Sequence, residues 1–414
     1  MVVSKFMRWA VGLALVAGVA LVSTTGPAAA HGEKSQQAFL RMRTLNWYDF
    51  KWSKKEVAVN DTFEITGKFH VFSGWPQAVA NPDVSFLNVG EPGPVAVRLE
   101  SFIGDQFTPR SVKLEIGKSY DFRIVMKARR EGRWHVHATV GVQGGGPLVG
   151  PGEWITIKGN MADFTLPTRI VTGETVDLET YGITTVYLWH AFWFAVGTAW
   201  ILYWFGRRGF LASFFAVEGG HEIITQRDKM IGAGALGATL LVVLFGYASA
   251  QSSFPRTIPL QAGKLIVHAI DFPDAAVIVK VRGGRYKVPG RELDVNLTVT
   301  NKGKESVRVG EFTTAGLRFL NPDVFTSKVD YPEYILAERG LTVDNASPIA
   351  PGETREVVVK IQDAIWDVQR LSDLAYDTDS QFGGLLMFFD ATGGREVVEI
   401  GGPVVPEFVS AGMG

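Results

Sequence analysis

Two histidines separated by one residue, His135 and His137 in GRWHVHATV, are the side chains of this sequence best placed to do chemistry. The run around them reads as a β-strand, and side chains at i and i+2 leave one face of a strand, so both imidazoles point the same way. That is a two-nitrogen clamp for a metal ion; taken alone, the pattern also describes two histidines on a solvated face. His31 extends it. A basic start (Lys5, Arg8) and an apolar run from Trp9 to Val22, too short for a comfortable membrane span, precede the stretch PAAAH. Ala28 and Ala30 suit a small-residue cleavage site, so residues 1–30 read as a secretory signal peptide and His31 as the first mature residue. The competing reading is an uncleaved anchor with His31 in an ordinary loop. A terminal histidine offers Nδ1 and its α-amine in one chelate ring, and an α-amine of pKa about 8 gives up its proton at modest cost.

His31, His135 and His137 together make an all-nitrogen site. The absence of cysteine excludes thiolate zinc sites, iron–sulfur clusters and blue copper. Imidazole suits copper, zinc, iron and nickel, and Cu(II) heads the divalent affinity order, so copper is the expected cofactor and zinc the alternative. Three nitrogens leave coordination positions open, as a metal that meets dioxygen requires. Of the other histidines, His70 in GKFHVF is expected to pack or hydrogen-bond within its strand. His190 stands in an apolar segment and is expected to make an interfacial or inter-subunit hydrogen bond. His221 and His268 are expected on polar surfaces, and the basic run KARREGR (Lys127 to Arg133) in a solvated turn that could face a partner.

The elements that must position these residues can be read from the pattern. From 31 to 172 the chain alternates as short strands do, in TFEITGKFHVF, VKLEI, YDFRIVMKA, RWHVHATV and EWITIKG, with a Gly-rich loop from Gly144 to Gly152 before the last. Several short strands between turn signals predict an antiparallel sandwich or barrel. Residues 183–205 and 230–250 carry no Asp, Glu, Lys or Arg and are long enough to span a bilayer. Gly232, Gly234 and Gly237 in the second would let another helix approach closely. Arg207, Arg208, Arg227 and Lys229 make the intervening 206–229 loop cytoplasmic by the positive-inside rule, which puts both flanking regions on the exported side. A second strand-rich region occupies 260–414. The fold class is therefore mainly β with two transmembrane helices. A net charge of −1 argues against a nucleic-acid partner, and a 46% hydrophobic content fits a bilayer partner.

HGEKSQQAFLRMRTLNWYDFKWS, HVFSGWP, DVSFLNVGEPGPV, GRWHVHATVGVQGGGPLVGPGEWITI, WHAFWF and IPLQAG resemble the B subunit of particulate methane monooxygenase. The B subunit of ammonia monooxygenase is the related alternative. The resemblance follows nearly the whole mature chain in order. It implies two periplasmic cupredoxin-like domains, 31–172 and 260–414, joined by the two spans in a bacterial inner, intracytoplasmic membrane. It implies A and C subunits as partners, in a trimer of three-subunit protomers that oxidises methane to methanol with O2 and copper. Carried over by position, the family's copper ligands in this subunit are His31, His135 and His137. Whether that copper is catalytic or supports a centre in a partner subunit stays open. A second, single-copper site of some members uses two histidines; one falls at His70, the other at Asn46. Asparagine is a poor copper ligand, so this site is expected to be absent. Two other classes compete: a membrane-anchored periplasmic copper-binding or delivery protein, and a purely structural assembly subunit. The 8 methionines are not clustered, which counts against a copper chaperone.

Overall fold

Burial on alternate residues decides where this chain forms sheets. In the strand Ser119–Ala128, Tyr120, Phe122, Ile124, Met126 and Ala128 are buried, and the residues between them face outward. The computed structural model describes residues 36–208, 225–254, 264–271, 275–324, 332 and 335–408. Among these, the strands before Asp163, joined by Leu265–Ile266, form two sheets. One runs Leu45–Trp52, Thr62–Val71, Ser119–Ala128, Ala96–Ile103, Gln106–Phe107. The other runs Leu265–Ile266, Val112–Lys113, Ser85–Gly90, Gly132–Val142, Gly146–Lys158, Glu56–Ala58. Aromatic side chains fill the space between them. Trp47 lies 5.8, 5.4 and 5.5 Å from the rings of Phe50, Phe69 and Phe122. Each such pair adds about 0.5–1.5 kcal/mol beyond its buried area.

The C-terminal strands form a nine-stranded sheet, with Glu292–Asn301 between Val277–Lys287 and Thr354–Gln362, and Gln381–Asp390 between Val307–Thr314 and Arg395–Glu407. Both β regions belong to one compact unit. Several contacts tie them together. Leu265–Ile266, which follows the long helices, pairs in parallel with Val112–Lys113 of the N-terminal region. The short helix Ala38–Arg43 is held from the other side, where Arg41 donates to the carbonyls of Gln369 and Ala315 at 2.7 and 3.2 Å.

Residues 164–261 make the second unit. It holds the hairpin Pro167–Arg169/Thr175–Asp177 and the helices Ile183–Arg208 and Gln226–Ser253. Both expected spans are helical throughout, and both helices are long and apolar enough to cross a membrane. The second begins with a capping box in which the Thr225 side chain accepts from Asp228 N and the Asp228 carboxylate accepts from Thr225 N. Between these two helices the close approach falls at Gly246. A Cβ at Gly246 would lie 2.9 Å from the Trp189 ring, whereas at Gly232, Gly234 or Gly237 it would meet nothing within 4 Å.

Candidate metal centre

The histidine strand Gly132–Val142 is buried on both faces. Val136, Ala138, Val140 and Val142 enter the core, which fixes the register. His135 and His137 therefore project together from the opposite face, as their spacing predicts, and only 8% and 3% of each remains exposed. Their rings meet edge to face at 4.4 Å, with His137 Nε2 3.0 Å from His135 Nδ1. His137 Nδ1 lies 3.0 Å from Gly150 O. A carbonyl only accepts, so Nδ1 of His137 carries the proton and Nε2 presents its lone pair. His135 Nδ1–H then donates to it. Two nitrogens sharing a metal at about 2.0–2.1 Å stand about 3 Å apart when cis, so the pair already has the spacing a shared ion needs. The carbonyl behind Nδ1 is the outer partner that orients a ligating imidazole.

The neighbouring strand makes room for these rings. Residues 144–152 read as a loop, but the strand begins at Gly146 and runs to Lys158 with a bulge between Val149 and Gly152. Glycine and proline hide the alternation that marks a strand, and the bulge breaks what remains. Two of its glycines have a steric task. Gly152 pairs with His137, and a Cβ there would lie 2.4–2.8 Å from three atoms of its ring. A Cβ at Gly150 would meet the Trp47 indole at 2.9 Å. Trp154, paired with His135, lays its ring 4.9 Å from that imidazole. No sequence motif marks Gly152 or Trp154; only the strand register brings them to the histidines.

His31 lies outside the described residues, as does His221. Among the described residues no third His, Cys, Asp or Glu completes a metal-holding group with the pair. The chain at Gln36 is nevertheless fixed on the strand that pairs with the histidine strand. Gln36 donates through Nε2 to Pro147 O at 2.5 Å and accepts through Oε1 from Val149 N at 3.0 Å. Its side chain thus docks on the backbone that leads directly into Gly150.

His70 makes its hydrogen bonds to other strands rather than within its own. Nδ1 is 2.8 Å from Ser119 Oγ, and Nε2 bonds the carboxylate of Glu399 in the C-terminal sheet. Asn46, its cross-strand neighbour, is fully buried and donates to Met42 O at 3.1 Å. His190 turns Nδ1 onto Val186 O at 2.8 Å, one helical turn back, and His268 is exposed, as expected. On the strand beside the pair, Gly90 lies opposite His137, and Glu91 follows it. Burial pushes the Glu91 carboxyl up to about 7, against hydrogen bonds from the Ala96 and Val95 backbone that favour its ionised form.

A family model for the B-subunit protein of monooxygenases matches residues 32–408, nearly the whole chain and all of the sheets and helices above. This chain belongs to that family. Its relatives include the protein named "Particulate methane monooxygenase alpha subunit" of Methylococcus capsulatus, 53% identical over 409 residues, which cover 98% of this chain and 99% of that protein. The crystal structure of the cupredoxin domain of amoB from Nitrosocaldus yellowstonii aligns over 29% of this chain and 91% of that one, at 14% identity and a TM-score of 0.25. As a monooxygenase B subunit, the chain is one component of a multi-subunit oxidoreductase.

Proposed function

We propose that this protein is the copper-binding subunit of a membrane-bound complex that oxidises methane to methanol with dioxygen. The observation that carries the metal reading is the converging pair, His137 Nε2 and His135 Nδ1 at 3.0 Å, with Gly150 O behind the first ring. The methane reading rests on the name of the relative that is 53% identical over nearly all of both chains. His31 is the third residue of the site, supplying its imidazole and, after removal of residues 1–30, its α-amine. From Gln36, five residues of chain reach at most about 18 Å, ample to return to the pair. Copper bound there would supply a redox-active ion with coordination positions left open for oxygen.

The chain's own residues do the rest. Gly150 O keeps the His137 proton on Nδ1. For His135 to ligate through Nδ1 its proton moves to Nε2 of the same ring, and the proton released on loading is that of the His31 α-ammonium, so loading strengthens as pH rises toward about 8. Trp154 and the Gly150–Gly152 backbone shield the pair from water. Further expectations belong to the same reading. The regions 31–172 and 260–414 are cupredoxin-like domains on the periplasmic side of a bacterial inner membrane, and the two long helices are its spans. The partners are A and C subunits, in a trimer of three-subunit protomers.

Copper quantification and X-ray absorption on the purified complex test this reading. His137→Ala is expected to remove copper and nitrogen scattering from the site, and sequencing of the mature chain to begin at histidine. A copper spectrum unchanged by His137→Ala, or a blocked or different first residue, overturns the assignment. Oxidation of ammonia in preference to methane by the intact complex would overturn the substrate.

A further inference from the structure

A monooxygenase puts one oxygen atom of O2 into its substrate and reduces the other to water, which consumes two electrons and two protons per turnover. The electrons come from outside, so a metal centre in such a complex needs a contact with the surface. The histidine pair is nearly sealed, with 8% and 3% of its residues exposed. Among the described residues, one aromatic side chain leads from the pair to the surface. The Trp154 indole lies 4.9 Å from the His135 ring at an interplanar angle of 33°, while 36% of the residue stays exposed. The Arg133 guanidinium also sits 4.9 Å from the indole centroid and is itself exposed. On the His137 side lie the Gly150 carbonyl and the Gly152 backbone, which carry no aromatic ring.

The charge beside the indole is mostly cationic. Arg130 stacks on Trp134 at 5.0 Å within the same basic run, Lys127 to Arg133. The acids nearest in sequence are already engaged. Glu153 is turned inward, only 8% of its side chain exposed and 2.7 Å from Lys55; Glu56 is paired with Lys158; Glu131 accepts from Met161 N at 2.8 Å. Arg133 thus offers an exposed cation on an aromatic ring that also touches a proposed ligand.

We infer that Trp154 and Arg133 form the electron-entry port of this subunit: an anionic one-electron donor docks at Arg133, and its electron crosses the indole–imidazole contact to the metal held by His135. This rests on the copper reading above. The donor loses one electron and Cu(II) gains it to become Cu(I); the indole stays closed-shell, and no bond is made or broken. Aromatic contact with a ligand and exposed cationic charge are the two requirements of such a port, and each has its own residue.

The test is anaerobic reduction of the Cu(II)-loaded intact complex, followed by loss of the part of the Cu(II) EPR signal that His137→Ala removes. Two one-electron reductants of opposite charge serve as probes, the Fe(II)–EDTA dianion and the hexaammineruthenium(II) dication. At low salt the dianion is expected to be favoured by about tenfold relative to its rate at high salt, the usual scale of electrostatic steering. Arg133→Gln is expected to abolish that preference, while Arg282→Gln, a charge change on the C-terminal sheet, leaves it intact. Trp154→Ala is expected to lose most of the rate with both probes at unchanged copper content, and Trp154→Phe to restore most of it. A parental rate in copper-replete Trp154→Ala overturns the inference. So does a preference that survives Arg133→Gln, which decides the matter even if Trp154→Ala sheds its copper. A parent complex with no EPR signal sensitive to His137→Ala overturns the copper reading itself, a distinguishable result.

Discussion

A methyl group at position 152 would lie 2.4 Å from His137 Cε1 and 2.6 Å from Nδ1, closer than any van der Waals contact allows. The Gly152 backbone needs no special conformation, so the whole penalty of Gly152→Ala falls on the imidazole, which must turn. Turning it breaks the bond to Gly150 O and parts Nε2 from His135 Nδ1. Gly152→Ala is expected to lower the melting temperature by the equivalent of about 1–3 kcal/mol, the usual cost of overpacking a filled site. Copper retention, measured per complex by mass spectrometry, should fall with it. Gly283→Ala is the matched control, since a Cβ there meets nothing within 4 Å. Equal copper in the two variants would show that the His137 rotamer does not govern the site.

At the scale of elements, the strand Ser85–Gly90 carries a titration as well as a register. Glu91, the residue after it, holds its carboxyl against Ala96 N at 3.1 Å in a poorly solvated turn. Burial raises its pKa from the ordinary 4.5 to about 7. Between those values the folded chain keeps a proton that the unfolded chain has released, so this group's contribution to stability is lost as pH rises from about 4.5 to about 7. Glu91→Gln retains the acceptor and removes the charge. Its melting temperature relative to the parent should therefore be higher at pH 8 than at pH 4.5, and a pH-independent difference would refute the cause assigned. The same strands show what the sequence makes legible. The alternation in YDFRIVMKA and WHVHATV carries its own signal, as do the two uncharged helices, because burial on one face or in lipid sets residue type directly. The first half of the strand Gly146–Lys158 does not carry it, although EWITIKG beyond it does, because glycines cleared for His137 and Trp47 erase the pattern. Nor could spacing reveal Glu399 as the partner of His70 across 329 residues, or Trp154 as the neighbour of His135; both follow from tertiary register.

For the whole molecule, the site of the N-terminal sheet is built partly by the C-terminal one. The turn Ala315–Gly316 closes the hairpin of Val307–Thr314 and Leu317–Leu320 with positive φ at both residues, 52° and 78°, as a two-residue hairpin turn requires. That turn lies against the bulge, where a Cβ on Gly316 would stand 3.1 Å from Pro151 Cγ. Ala315 O, in turn, accepts from Arg41 in the helix Ala38–Arg43, which begins two residues after Gln36. Arg41 therefore ties together the C-terminal hairpin, the Gln369 carbonyl and the segment that leads back toward His31. Arg41→Met keeps the volume and the apolar stem but removes every donor. Each buried carbonyl left unpaired costs about 1–3 kcal/mol, so the melting temperature should drop clearly. Copper retention should fall too, because the helix that anchors the start of the mature chain loses its hold. Arg43→Met, by contrast, gives up a pair with Asp379, whose side chain is 65% exposed, and a bond to Gly74 O, and should change copper retention little. If Arg41→Met melts earlier yet keeps its full copper, the C-terminal region stabilises the fold without shaping the site.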